Sequence, residues 1–224
     1  MVKIEYTKAI IEVFPKYEFR AEQIRGFFGY LMVEDPGFHH HTDKLIYEYP
    51  KVQYKVINHK ILILGLAEYA SKIYEASIRA RKLVIGNKEY IVRSVKFETA
   101  AFDIKEEANI SYKFVTPWIA LNRKNYLLFK EMHKIEDKKI LLNKILTGNI
   151  LSFLKGMDIF IKFRLITNIN YFKTKKLLAD GNEFEGIIGK FQANIALPDY
   201  IGLGKSVSKG YGTIIRCKND FRGN

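Results

Sequence analysis

Cysteine is nearly absent: Cys217 is the only one in 224 residues. That excludes an internal disulfide framework and any zinc cluster built on thiolates. Long apolar runs are missing as well. Ile61 to Ala67 is typical of the longest, well short of the roughly 20 residues that a membrane-spanning helix needs. The opening stretch, MVKIEYTKAIIEVF, has its apolar residues interrupted by Lys3, Glu5, Lys8 and Glu12, so it does not read as a signal peptide. The simplest expectation is a cytoplasmic protein with no membrane partner. Acidic side chains are also scarce, with 24 Asp+Glu against 37 Lys+Arg, for a formal charge of +13. Such an excess favours an anionic partner, nucleic acid above all, although a Lys-, Ile- and Asn-rich chain is also what an AT-rich coding bias produces.

What is present is ample apolar material, 48% of residues, enough for one large core or two small ones. Alternation of Val2, Ile4 and Tyr6 with Lys3, Glu5 and Thr7, continuing through Ala9 to Phe14, predicts a strand that Pro15 ends. From about Glu18 to Val33, Phe19, Ile24, Phe27, Phe28 and Leu31 recur at helical spacing. A turn-rich segment, EDPGFHHHTDK, follows. In KVQYKVINHKILIL, Val52, Tyr54 and Val56 share one face and Lys51, Gln53 and Lys55 the other. Asn58-His59 then reads as a hairpin turn into a strand from Ile61 to Leu64. A helix over Leu66–Arg79 and a strand over Glu89–Phe97 complete the order strand, helix, strand, strand, helix, strand. That is the split-βαβ, ferredoxin-like arrangement.

Residues Thr99 to Asn109, acidic and poorly patterned, are taken as the boundary between a unit over 1–100 and a second over 110–224. The second unit is expected to hold a strand at Ile110–Thr116 and helices at Asn122–Glu131 and Lys138–Lys155. Strands are expected near Ile159–Thr167, Phe184–Leu197 and Tyr211–Arg216, with the second ferredoxin helix missing or very short. The fold class is therefore α+β, two tandem ferredoxin-like domains with antiparallel sheets.

The stretch GLGKSVSKGYG, Gly202 to Gly212, looks at first like a nucleotide phosphate loop. A Walker-type loop needs a glycine at position 199, which is Asp199, and a helix after Ser206, for which there is neither pattern nor room. The dinucleotide fingerprint fails at Val207. What remains is Gly202, Gly204, Gly210 and Gly212 around Lys205, Ser206, Ser208 and Lys209. This is either a glycine-rich surface hairpin or a clamp for RNA phosphates, in which glycines bring backbone amides close and lysines add charge.

PDYIGLGKSVSKGYGTI resembles the C-terminal glycine-rich loop of the CRISPR-associated endoribonucleases that cut repeat RNA into guide RNAs. FHHHTD, YPKVQYKVIN and TPWIALNRKNY resemble the branch of that family first described in methanogens, the b type of CRISPR-associated protein six, and NILSFLKG is a weaker match. The likeness runs from about residue 26 to 216. It implies two ferredoxin-like domains of the RNA-recognition type. It also implies an endoribonuclease of precursor CRISPR RNA that needs no metal and no cofactor, with an inactive RNA-binding subunit of an interference complex as the alternative. A metal-dependent nuclease is a third possibility, since three histidines in a row also suit a metal.

The family's His-x-His pair falls on His39 and His41, with His40 between them where relatives often carry Asn. Two histidines suit general acid–base cleavage of RNA because their ordinary pKa lies near working pH. Attack by a 2′-hydroxyl would leave a 2′,3′-cyclic phosphate and a 5′-hydroxyl. Tyr47 and Lys55 are candidate supports, the first to orient a histidine or ribose, the second to neutralise phosphate charge. Either also suits an ordinary strand residue on a solvated face. Lys51 and Gln53, with Gly202, Gly204, Lys205, Ser206, Lys209, Gly210 and Gly212, are candidate RNA contacts. His59 is expected in a turn, His133 on an exposed helix, Trp118 in the core, and Asn122 as a helix cap. The partners implied are CRISPR repeat RNA and other CRISPR-associated proteins, the protein itself being a monomer or homodimer.

Overall fold

The computed structural model describes residues 2–39, 48–179 and 182–217. The first unit opens with β1 (Val2–Phe14), which Pro15 stops, and α1 (Ala21–Leu31), which buries Ile24 and Phe28. A single turn, α2 (Pro36–His39), follows. Next come β2 (Val52–Ile57) and β3 (Lys60–Leu66), joined at Asn58 and His59, whose φ of 50° and 61° make the tight left-handed hairpin turn that fits strand twist. His59 is thus a turn residue, as expected. Helix α3 (Tyr69–Arg79) buries Ala70, Ile73 and Ala76 and leads to β4 (Lys82–Ile85) and the long β5 (Lys88–Ile104).

The sheet order is β2-β3-β1-β5-β4, antiparallel throughout. Removing the added edge strand β4, which the sequence pattern missed, leaves the ferredoxin-like order. One face carries Ala9, Ile11, Val52, Tyr54, Ile61 and Ile63 against α1 and α3.

The segment Thr99–Asn109 is strand on both sides of Lys105, because β5 pairs with β1 as far as Ile104 and β6 (Glu106–Phe114) begins at once. The second unit continues with α4 (Arg123–Glu131), α5 (Ile135–Gly156), β7 (Thr167–Ala179), β8 (Asn182–Ile195) and β9 (Ile214–Arg216). Asn122 caps α4, its side chain accepting from Asn125 N–H at 2.8 Å. His133 is exposed, but it lies in the link between α4 and α5 and not on a helix. The second sheet runs β7-β8-β6-β9, the same ferredoxin-like order.

Two strand expectations shift. The region 159–167 has strand-like alternation, with Ile159 buried and Ile161, Phe163 and Leu165 packed on the core. It forms no ladder, since β6 and β8 are already paired on both sides, so it stays irregular until Thr167. The strand β7 carries Lys173, Lys175 and Lys176, and its polar edge hid it from the hydrophobic pattern. Near the C-terminus, only Ile214–Arg216 of the expected strand Tyr211–Arg216 is β, because Gly210 and Gly212 hold the preceding residues in a turn.

The two units share a core. Leu62, Leu64, Leu66 and Ile4 of the first sheet join Tyr112, Phe114, Trp118, Ile187 and Phe191 of the second, with Leu142, Leu146, Ile150 and Phe153 of α5. Among the described residues, no helix is long and apolar enough to cross a membrane.

Candidate functional site

The glycine-rich stretch sits where a ferredoxin-like unit would carry its second helix, between β8 and β9. Only one short 3-10 turn, Val207–Lys209, forms there. Pro198 and four glycines disfavour a helix in this stretch, and a ladder of backbone bonds takes its place. Tyr200 N–H donates to Ile214 O at 2.7 Å, Ile214 N–H to Ile201 O at 2.9 Å, and Leu203 N–H to Gly212 O at 2.9 Å. Ile201, Leu203 and Val207 point inward and are buried. Asp199, which excluded the ATP-loop reading, accepts the N–H of Arg216.

The bed beneath this loop is the TPWIALN segment. Trp118 is fully buried, as expected, stacked on Phe114 with centroids 5.0 Å apart, and its indole N–H donates to Asn149 of α5 at 2.9 Å. Gly204 lies directly on the indole at φ 94°; a Cβ there would stand 2.6 Å from Nε1. Lys205 N–H donates to Ile119 O at 3.0 Å, and Gly212 N–H to Pro117 O at 2.8 Å. The hydroxyls of Thr116 and Thr213 both donate to Gly210 O, at 2.6 and 3.0 Å. Gly210, at φ 86°, presses against Ala21 of α1 and the Tyr54 carbonyl of β2.

The glycines therefore serve close packing first. The amides of Gly202, Leu203, Lys205, Lys209, Gly210 and Gly212 are all engaged within the protein. Charge remains on the outside: Lys205 is exposed, and Ser206, Ser208 and Lys209 are half-buried.

Strand β2 alternates as the sequence predicts, but the face bearing Lys51, Gln53 and Lys55 is not solvated. Gln53 and Lys55 are both 0% exposed, because the glycine-rich loop lies over them. The Gln53 side-chain carbonyl accepts from Gly202 N–H at 3.0 Å and from Lys55 Nζ at 2.9 Å. Its amide donates to Tyr49 Oη at 2.9 Å and to Pro50 O at 3.0 Å, and Tyr49 Oη donates to Gly202 O at 2.7 Å. Burial lowers the Lys55 pKa to about 7, well below that of an ordinary lysine, because the charged ammonium loses its hydration. Burial likewise pushes the Tyr49 phenol up, so it stays a donor. Lys51, at the rim, is engaged with Glu68 at 2.7 Å.

The opposite face of the same strand holds the entry to the histidine segment. Tyr54 Oη donates to Phe38 O at 3.1 Å, and the Phe38 ring is fully buried. One turn earlier, Asp35 accepts from Gly37 N–H at 3.1 Å, from Tyr69 Oη at 3.2 Å and from Lys72. Partial burial works to raise the Asp35 carboxyl, but the hydrogen bonds from Lys72 and Gly37, with the Lys72 charge and the Tyr69 hydroxyl, outweigh it and hold the group below its usual range.

His39 closes α2 next to this anchor. His40, His41 and Tyr47 lie outside the described residues. On the far side, Tyr49 is fixed by Gly202, Gln53 and the Phe153 ring. Both flanks of the histidine segment are therefore tied to β2.

A cleft of about 550 Å³ opens between Arg20, Ala21 and Glu22 at the start of α1, His59, and Pro117, Lys209, Gly210 and Tyr211. Among the described residues, no group of three or more His, Cys, Asp and Glu is placed to hold a metal ion. Sequence reasoning missed Tyr49, Thr116 and Asn149. Their signal was present, since each lies in a segment singled out for other residues, but their partners are remote in the chain.

The family model of the Cas6b N-terminal domain matches residues 2–103, and that of the Cas6b C-terminal domain matches residues 104–217. An uncharacterised protein of Methanocaldococcus jannaschii is 41% identical over 148 residues, covering 64% of this chain and 98% of that protein. A crystal structure of Cas6b superposes with a TM-score of 0.87 at 27% identity, over 96% of this chain and all of the other. A second, of the CRISPR RNA processing endoribonuclease Cas6b, gives 0.76 at 25%, again over 96% of this chain and all of that one.

Proposed function

The chain belongs to the Cas6b family, and from that premise we propose that it cleaves precursor CRISPR RNA within its repeats without a metal ion. In the proposed reaction one histidine of the His39/His41 pair takes the proton of a 2′-hydroxyl. The freed oxygen attacks the adjacent phosphorus while the bond to the 5′-oxygen breaks. The other histidine protonates that leaving oxygen, so the ends are a 2′,3′-cyclic phosphate and a 5′-hydroxyl. Each positioned acid or base is worth about 10²–10⁴ in rate.

The observation that carries this reading is the double attachment of β2. Tyr54 holds the carbonyl of Phe38, beside His39, while Gln53, the residue before it, holds Gly202 at the start of the glycine-rich loop. A strand of fixed geometry thus spaces the proposed proton-transfer group from the proposed RNA clamp, which supports a single composite site. Lys205 and Lys209 supply the outward charge of the clamp. Gln53 and Lys55, buried beneath it, act by positioning the loop, and Lys55 adds positive charge under it whenever protonated. Tyr47 and His40 are proposed as supports of the histidine pair. Repeat RNA is the proposed partner, with other CRISPR-associated proteins beside it and the protein acting as monomer or homodimer.

The test is incubation of purified protein with its repeat RNA in excess chelator, followed by analysis of the product ends. A single cut with cyclic phosphate ends is expected. Tight binding without shortening of the RNA at any pH would make the protein a silent RNA-binding subunit, and cutting that requires added metal would replace the proposed chemistry.

A further inference from the structure

The outer face of the second sheet, turned away from the glycine-rich loop, carries a basic surface that the proposed reaction does not use. Tyr112, Ile187 and Phe191 point to the core, so their neighbours along the strands point out. Register pairs align Ile215 of β9, Lys113 of β6, Lys190 of β8 and Tyr171 of β7 in one row across all four strands. The next rows pair Ile188 with Lys173 and Gly186 with Lys175; on the other side, Ser111, Gln192 and Asn168 form a polar row. Rows lie about 6.6–6.8 Å apart, two residues along a strand.

Three properties of this face point to an anionic ligand with flat groups. Lys113, Lys173, Lys175 and Lys190 are exposed and make no ion pair among the described residues. Lys113 and Lys190 stand directly opposite each other across two strands, a like-charge pair that is unfavourable unless an anion sits over it. Beside them Tyr171, 48% exposed, and Ile188, 39% exposed, offer a stacking surface. The outward positions of β6, β7 and β8 named in these rows include no acidic residue.

We propose that this face is a second RNA-binding surface, on which single-stranded RNA lays its phosphates along the lysines and stacks a base on Tyr171. Aromatic side chains on a four-stranded sheet suit unpaired bases, and lysines track the backbone. Trp118, the bed of the glycine-rich loop, is on the inner side of the same sheet. RNA on the outer face is therefore RNA beyond the segment held at the proposed cleavage site. The inference rests on the proposed function in taking RNA as the ligand.

The experiment compares wild-type protein with the triple variant Lys113→Ala/Lys173→Ala/Lys190→Ala, the matching triple Lys→Arg variant, and Tyr171→Leu. Binding is measured by anisotropy on oligouridine of about 16 nucleotides, within the site size of a single-strand platform. Single-turnover cleavage of bare repeat RNA is followed in parallel. The triple alanine variant is expected to bind oligouridine about 10–50-fold more weakly near physiological salt, with its log–log salt slope shallower by about 2 because three phosphates are no longer neutralised. Tyr171→Leu should weaken binding about tenfold, and the arginine variant should retain affinity. Cleavage of the bare repeat should be unchanged in all of them, which also shows that the variants fold. Wild-type affinity in the triple alanine variant overturns the inference, including the case in which the face instead takes an acidic polypeptide. Loss of repeat cleavage together with oligouridine binding overturns it too, by placing the face on the cleavage path. Failure of wild-type protein to cut or bind repeat RNA would overturn the proposed function separately, whatever the oligouridine result.

Discussion

The two units have the same strand order and differ most in what joins their third strand to their fourth. In the first unit the connection is α3, which packs by Ala70, Ile73 and Ala76 against its own sheet. In the second it is the glycine-rich loop, which packs by its backbone, on Trp118, on the Tyr54 carbonyl and on Ala21. A helix satisfies its own amides and needs only an apolar floor. The loop must borrow partners, and it finds them in Pro117, Ile119, Thr116 and Gln53, two of these being side chains. The first connection is therefore private to its unit, while the second binds the units together and leaves lysines on its outer rim.

This contrast can be broken at graded strength. The largest effect is expected from Lys55→Met. Burial sets the folded pKa near 7 against 10.5 for the ordinary group. Between those values the unfolded chain binds more protons, so wild-type stability rises as pH increases through that window. Below pH 7 the buried charge imposes its full cost, and the variant should be more stable than wild type by about 5 kcal/mol. That advantage should shrink to nothing by about pH 10.5 in denaturant melts. A pH-independent difference would mean that Lys55 is not desolvated.

Trp118→Ala should cost about 3–5 kcal/mol and also loosen the loop, so that RNA affinity falls. Ile73→Ala beneath α3 should cost about 2–5 kcal/mol with RNA affinity intact in conditions where both variants remain folded. Equal effects on affinity would erase the distinction between the connections. Gln53→Leu strands the buried Gly202 N–H and should cost about 1–3 kcal/mol. It should slow cleavage of bound RNA as well, because loop and histidine segment lose their common strut. The smallest effect on stability is expected from Lys205→Ala/Lys209→Ala, within about 0.5 kcal/mol of wild type. Its mark should be weaker RNA binding, with a salt slope shallower by about 0.7 for each phosphate that the lysines no longer neutralise.

Much of the fold was legible in the sequence because alternation and helical spacing survive wherever one face is buried. The first unit's order, the hairpin at Asn58-His59, the missing second helix and the buried Trp118 all followed from pattern. The pattern failed where burial and pairing separate. Ile159 to Leu165 alternates without a partner strand, and β7 pairs while carrying lysines. Lys51, Gln53 and Lys55 were placed on one face correctly, yet the environment of that face depends on a loop about 150 residues later, consistent with the Gln53–Gly202 separation of 149. No local pattern carries that information. The same holds for the bed of the loop: TPWIALN and NILSFLKG stood out by resemblance, and only the fold brings Trp118, Asn149 and Gly204 together.

The central claim is that proton transfer belongs to the histidine segment and RNA holding to the loop. The most direct test is single-turnover cleavage of repeat RNA by His39→Ala/His41→Ala in chelator, with affinity measured on the same RNA. A rate loss of at least about 10²–10⁴-fold with affinity unchanged is the predicted result. Wild-type cleavage by that variant would contradict it.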